Sequence, residues 1–287
     1  MKISEIYRKK TPVLSFEIYP PKRDTTLTSI DATLDVLCNL HPDFISVTFG
    51  AGGSATNSLT VELAKKIKKE YNVEPLVHLT CINYTKEEIL AFTDELAEAG
   101  IENVLALRGD RREDIAPKEE FFYASELVSF LKEKRDNLCI GGACYPEGHT
   151  EAVSRVADLH NLKKKTDMGA EFLISQLFFD NEQFYSFREK MEIADIKPPV
   201  SAGIMPVINR AQIERMVSLC GASLPEKFRR ILQKYEFEKE ALFDAGMVYA
   251  VNQIVDLVAH DVEGVHIYTM NNPAVAKRIC DSIKNLI

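Results

Sequence analysis

The residue best placed for chemistry is Glu17, in the stretch 14–21 that reads L-S-F-E-I-Y-P-P. Leu14, Phe16 and Ile18 alternate with Ser15, Glu17 and Tyr19, the period of a β-strand. Pro20 and Pro21 end the run, because neither can donate to a sheet ladder. Glu17 is therefore expected near the C-terminal end of a first strand. A carboxylate there either reaches water as an ordinary surface charge or works as an acid. The ends of later apolar runs carry Thr48, His78 with Thr80, Arg108 with Asp110, Tyr145, Gln176 and Tyr268. Stability alone does not require polar groups at nearly every strand end, so a shared mouth lined with donors and acceptors is expected.

Several chemistries fit this set poorly. His78, His149, Glu17 and Asp110 could be assembled into a metal site, but no H-x-x-x-H or H-x-H pair supports it, and no metal is expected. There is no G-x-S-x-G elbow for a serine nucleophile. The segment G-A-G-G-S at 50–54 is not G-x-G-x-x-G, and no acidic residue ends the next strand as a Rossmann site needs. A tight turn explains Gly52 and Gly53. The helical stretch 151–168 says more. Asp158, Asn161 and Lys165 are spaced i, i+3, i+7 and share one face. The basic run 163–165 reads by default as a solvated face. Together with Asp158, Asn161 and Arg108 it could hold a ribose and a pyrophosphate, which points to a dinucleotide bound without a Rossmann fold.

The elements that must position these groups follow a strict alternation. Strands are expected at 44–49, 75–80, 103–107, 138–145, 171–176, 200–205 and 265–268, after the first at 14–21. Helical periods fill 27–39, 56–70, 121–134, 151–168, 180–191, 209–219, 225–233, 238–258 and 272–286. A further helix starts at Thr85, with Glu88 completing a capping box. Asp180 is expected to cap its helix, with Gln183 at the box position. Alternation of this kind calls for a parallel sheet. Eight units over 287 residues favour a (β/α)8 TIM barrel, in one domain spanning 1–287, over an open doubly wound sheet.

Composition narrows the partners. The net charge of −8 disfavours a nucleic-acid partner held through phosphates. The six cysteines form no C-x-x-C pair, so neither a disulfide framework nor a structural zinc site is expected. The N-terminus lacks the apolar run of a signal peptide, and no stretch reads as a membrane span. A reduced, cytoplasmic protein with no membrane partner is expected.

Nine motifs, in order along the whole chain, resemble the 5,10-methylenetetrahydrofolate reductase family. They are S-F-E-I-Y-P-P (15–21), V-T-F-G-A-G-G-S (47–54), H-L-T-C (78–81), A-L-R-G-D (106–110), Y-A-S-E-L-V (123–128), Y-P-E-G-H-T-E-A (145–152), Q-L-F-F-D (176–180), G-I-M-P-V (203–207) and V-H-I-Y-T-M-N (265–271). The resemblance implies a barrel carrying FAD that reduces methylenetetrahydrofolate to 5-methyltetrahydrofolate. The flavin is first reduced by NADH or NADPH in a ping-pong cycle. It implies Glu17 as the general acid that opens the folate ring, and Asp110 between folate and flavin. Gln176 and Gln212 match substrate-contacting positions, with Gln212 also readable as a capping partner of Asn209. FAD contacts carry over to Thr48, Phe49, Ala51, His78, Arg108, Gly109, Asp110, Tyr123, Ala124, Tyr145, His149, Ala152, Asp158, Asn161, Lys164 and Lys165.

The chemistry asks for a raised Glu17 pKa, which desolvation at a closed barrel mouth next to an aromatic ligand is expected to supply. The sequence departs from a familiar bacterial form at Lys164 (an Arg there), Leu177 (a Phe), Met216 (an aromatic) and Asn272 (an Arg). The resemblance further implies a homo-oligomer, and for members from anaerobes a partner subunit bearing metal centres. It implies no regulatory extension and hence no control by S-adenosylmethionine. Two other classes stay open on the residues alone: a metal-assisted lyase or aldolase, and a non-catalytic barrel.

Overall fold

The computed structural model describes residues 1–20, 27–49, 54–111 and 116–287. Its strands are β1 (Val13–Ile18), β2 (Phe44–Val47), β3 (Glu74–Thr80), β4 (Asn103–Leu107), β5 (Cys139–Cys144), β6 (Phe172–Ser175), β7 (Val200–Ile204) and β8 (Gly264–Tyr268). They pair in chain order, all parallel, and β8 returns to β1, so the sheet closes into a barrel. The expected (β/α)8 barrel is the observed fold, and the open sheet is excluded. Burial on both faces is why these strands read as apolar runs. Phe16, Ile18, Ile45 and Val47 point outward into the helical layer, while Phe44, Leu76, Leu105 and Phe172 fill the interior. Gly141 makes room for one of these fillers: a Cβ there would lie 2.5 Å from the Phe172 ring.

The outer layer is α2 (Leu27–Cys38), α3 (Ser54–Glu70), α4 (Lys86–Glu98), α5 (Ala124–Lys134), α6 (Arg155–Asp167), α7 (Asn181–Ile193), α8 (Arg210–Cys220), α9 (Glu226–Tyr235), α10 (Lys239–Ala259) and α11 (Pro273–Ile283). The expected capping box opens α4. The Glu88 N–H donates to Thr85 Oγ1 at 3.2 Å, and the Thr85 N–H donates to Glu88 Oε2 at 2.7 Å. At α7, Asp180 caps through the Glu182 N–H at 3.2 Å rather than through Gln183.

One helix escaped the sequence reading: α1 (Ile3–Lys9) lies before β1. Its apolar residues Ile3, Ile6 and Tyr7 pack with Phe44 and Phe172, closing the N-terminal floor of the barrel. Seven residues are too short for periodicity to announce a helix. Two helices start later than expected. α5 begins at Ala124, because Glu126 accepts the Phe122 and Tyr123 N–H groups and fixes the first turn there. α6 begins at Arg155, where Ser154 accepts the Ala157 N–H at 3.1 Å. Residues 145–154 are thereby left as a loop.

Among the described residues α10 alone is long and apolar enough to cross a membrane, by length and composition only, with a mean hydropathy of 1.3. The sequence reading found no such span. Leu242, Met247, Ala250, Ile254 and Leu257 bury one face of this helix against the barrel, which accounts for part of its apolarity. All six cysteines are free thiols.

Candidate active site

Glu17 is the fifth of six residues in β1, level with Ser46 of β2 and Tyr268 of β8. Strand alternation turns it inward, as the spacing predicts. Its side chain is 23% exposed, with Oε2 3.5 Å from His78 Nε2 and 3.7 Å from His266 Nε2. His266 is fully buried and held from behind, its Nδ1 2.8 Å from the Ser15 hydroxyl. Both imidazole Nε2 atoms, and the Ser46 hydroxyl, are buried without a hydrogen-bond partner. Buried polar groups are rarely left so, and their clustering around one carboxylate marks a site prepared for something else.

The protein's own groups act on Glu17 against the raised value that the chemistry asks for. Burial pushes the Glu17 carboxyl up, but His266, His78 and Ser46 together outweigh it and hold the group below its ordinary value. Glu17 in this open mouth is a carboxylate, not the raised acid that desolvation alone would make. Burial pushes His78 down, assisted by His266 and opposed by Glu17. Burial raises Tyr268 well above the usual phenol value, aided by the Glu17 charge, and its hydroxyl donates to the Ser175 carbonyl at 2.7 Å. Sequence reasoning gave no role to Ser15, Ser46 or His266. The signal was available: His266 shares its strand face with Tyr268, two residues on.

Beside this pocket a cleft of about 570 Å³ runs between the ends of β4 and β5 and the side of α6. Ten residues expected to contact a cofactor line it: Arg108, Tyr123, Ala124, Tyr145, His149, Ala152, Asp158, Asn161, Lys164 and Lys165. The others lie elsewhere. His78 belongs to the Glu17 pocket. Thr48 follows β2, its N–H donating to Ile18, and the Phe49 ring sits edge-on to Tyr84 and Phe92 at 5.4 and 5.0 Å. Gly109 has φ +88°, and a Cβ would sit 3.0 Å from Thr80, so the chain turns out of β4 there as only glycine allows. Asp110 follows it and is exposed. Ala51 falls outside the described residues.

The cleft wall is cationic and ordered. Lys165 lays its stem where a Gly142 Cβ would be, at 2.8 Å, and donates from Nζ to the Ala143 carbonyl at 2.6 Å. Burial lowers its pKa, and burial raises that of Asp158, which accepts the His149 N–H at 3.2 Å. The edge of the Tyr145 ring meets His149 at 4.6 Å between centroids.

α8 follows β7 at the same end of the barrel. The Asn209 side chain accepts the Gln212 N–H at 2.8 Å, but the reciprocal half of a capping box is missing, and Gln212 Oε1 is buried without a partner. Gln176 uses its Oε1 to accept the Leu177 N–H at 2.8 Å. Burial, aided by the Asp110 charge, pushes the Cys220 thiol at the end of α8 up to about 11. The turn after α8 is fastened to the loop after β5, since both Glu147 oxygens accept the Ser223 N–H at 3.0 and 3.1 Å. Of the departures, Asn272 caps α11 through the Ala274 N–H, and Leu177 is buried.

Comparison with known proteins places the chain in a family. The 5,10-methylenetetrahydrofolate reductase of Pectobacterium carotovorum is 33% identical over 94% of this chain and 89% of its own length. The enzyme of the same name from Escherichia coli is 34% identical over 94% and 90%. Methylenetetrahydrofolate reductase (NADH) 1 of Arabidopsis thaliana is 32% identical over 94% of this chain, which spans 48% of that protein. Among solved structures, an uncharacterised Clostridium thermocellum protein described as binding two copies of 5-methyl-5,6,7,8-tetrahydrofolic acid superposes with a TM-score of 0.70. It covers all of both chains at 12% identity, a likeness of fold. The sequence model of the Methylenetetrahydrofolate reductase family matches residues 2–284, so this chain belongs to that family of oxidoreductases, which reduce methylenetetrahydrofolate.

Proposed function

We propose that the chain reduces 5,10-methylenetetrahydrofolate to 5-methyltetrahydrofolate with FAD as resident cofactor and a nicotinamide as electron donor. The relative named for NADH supports that donor. The single observation that carries the mechanism is the Glu17 carboxylate, faced by two buried imidazole nitrogens that have no other partner.

The cleft suits FAD on its donor chemistry. It offers Lys164, Lys165 and Arg111 to a diphosphate, and the rings of Tyr123, Tyr145 and His149 to planar groups. Its volume lies within the ~300–1,000 Å³ usual for cofactor sites. FAD bound there supplies the hydride.

The rest falls to the chain's own residues. Glu17 gives a proton to the substrate's five-membered ring, which opens by cleavage of a carbon–nitrogen bond, and the exposed carbon then takes the hydride. Glu17 must first be loaded. A substrate ring that displaces water from the mouth strengthens the burial effect that already pushes this carboxyl upward, so binding and proton uptake are linked. His78 and His266 hold the conjugate carboxylate after transfer. The orphaned Gln212 carbonyl is an acceptor for an N–H of the folate ring.

The test separates the two half-reactions. In Glu17→Gln, FAD binding and flavin reduction by NADH stay near wild type, while reoxidation by methylenetetrahydrofolate slows by ~10²–10⁴-fold, the usual contribution of a general acid. Unchanged reoxidation would remove Glu17 from the chemistry.

A further inference from the structure

Among the described residues, the most fully engaged cation in the cleft is Arg108, and what engages it is an acid that no cofactor role accounts for. Glu151 takes both ends of the guanidinium: Nη1 donates to Oε2 at 2.5 Å and Nη2 to Oε1 at 2.8 Å. The Nε–H goes to the Gly109 carbonyl at 3.0 Å. Among the described residues, three of the five guanidinium N–H groups are therefore spent within the protein. Glu151 is itself fixed. Its N–H donates to His149 Nδ1 at 3.0 Å, and the Ala152 N–H donates to the His149 carbonyl at 3.0 Å. The pair thus ties the end of β4 to the loop after β5 across the cleft.

An arginine held edge-on by a carboxylate cannot also grip a diphosphate with that fork. What it has left to offer a ligand is its planar face and at most two N–H groups. We propose that Glu151 is a positioning residue that fixes Arg108 as a flat platform for a ring of the cofactor, leaving the diphosphate charge to Lys164 and Lys165. This rests on the FAD reading above.

The experiment is a double-mutant cycle on FAD affinity, measured by fluorescence titration of the apoprotein at two salt concentrations. Glu151 is half exposed and outside the core, so Glu151→Gln is expected to fold, with circular dichroism as the check. Glu151→Asp, too short for the two-point contact, is the second variant and is expected to fall between the two. The prediction is that Glu151→Gln weakens FAD binding about tenfold in the wild-type background and hardly at all in Arg108→Gln, a coupling of ~1.4 kcal/mol. Removing the pair together leaves the salt dependence of binding unchanged, whereas Lys164→Gln flattens it. Additive costs would show that Glu151 merely holds its loop, and tighter FAD binding in Glu151→Gln would show that it competes with the cofactor for Arg108. Either result overturns the assignment. Failure of the wild-type protein to bind FAD would instead overturn the cofactor reading and this inference with it.

Discussion

The two ends of the barrel treat polar groups in opposite ways. At the floor they are matched. The Met1 ammonium meets Glu74 at 2.9 Å and Glu102 at 3.1 Å, and the Asn103 side chain accepts the Ile3 N–H at 2.8 Å and donates to the Met1 carbonyl at 3.1 Å. Glu171 takes both Lys132 at 2.5 Å and the Ser4 hydroxyl at 2.8 Å, and Tyr7 reaches the Ser201 hydroxyl at 2.7 Å. At the mouth they are left open. Of the six buried side-chain atoms without a partner among the described residues, five belong to Ser46, His78, His266, Gln212 and Asn83, in the Glu17 pocket, on α8 or in the loop after β3. The sixth, Glu263 Oε2, is at the floor, where its sister oxygen already holds Arg188 at 2.6 Å. An unpaired buried group costs about 1–3 kcal/mol. A fold that completes its floor and carries such costs at its mouth is stabilised at one end and reactive at the other.

That contrast can be broken from either side. The largest effect is expected at the mouth. His266→Ala removes the fully buried ring behind Glu17 and lets burial dominate, so the carboxyl rises. Because the imidazole that holds the conjugate carboxylate is gone, the folate half-reaction is expected to slow by ~10²-fold at its optimum, while the raised carboxyl moves its pH profile to higher pH and the nicotinamide half-reaction is unchanged. Stopped-flow traces across pH check both.

The next effect belongs to the floor and to stability. Asn103→Ala leaves the buried Ile3 N–H unpaired, at a cost of about 1–3 kcal/mol, with turnover unchanged at temperatures where the variant is folded. Chemical denaturation beside a rate assay decides it, and a lost rate with intact stability would erase the distinction between the ends.

How much of this could be read from the chain differs between the two ends in the same way. The barrel, its helices and the inward turn of Glu17 were legible because periods of 2 and 3.6 residues carry them. The α1 plug was not, since a seven-residue helix has too few turns to show a stripe. Glu17's lowered pKa was not legible either. Desolvation can be guessed from a strand end, but the opposing imidazoles come from β3 and β8, and only closure of the barrel brings them together. The same holds for the pairing of Arg108 with Glu151, which lies 43 positions away.

A smaller effect sharpens the comparison at the mouth. Gln212→Leu removes an acceptor that has no protein partner, so stability is expected to hold or rise slightly while the KM for folate rises about tenfold. Thermal melts and steady-state kinetics on the same preparation check it. The smallest effect lies at the floor in acid. Burial works to raise Glu171, but Lys132 and Ser4 outweigh it and hold the carboxyl below its ordinary 4.5. Its stabilisation is therefore complete above that value and is lost as pH falls through the lower, folded one. The gap in Tm between wild type and Glu171→Gln should close as pH drops below 4.5.

The central claim, that the Glu17 carboxylate takes up a proton when folate closes the mouth and then passes it on, is tested most directly by counting protons. Folate is mixed with the holoenzyme in weakly buffered indicator dye near neutral pH. The account predicts uptake of about one proton per bound folate in wild type and none in Glu17→Gln. No uptake in wild type, or equal uptake in both, would contradict it.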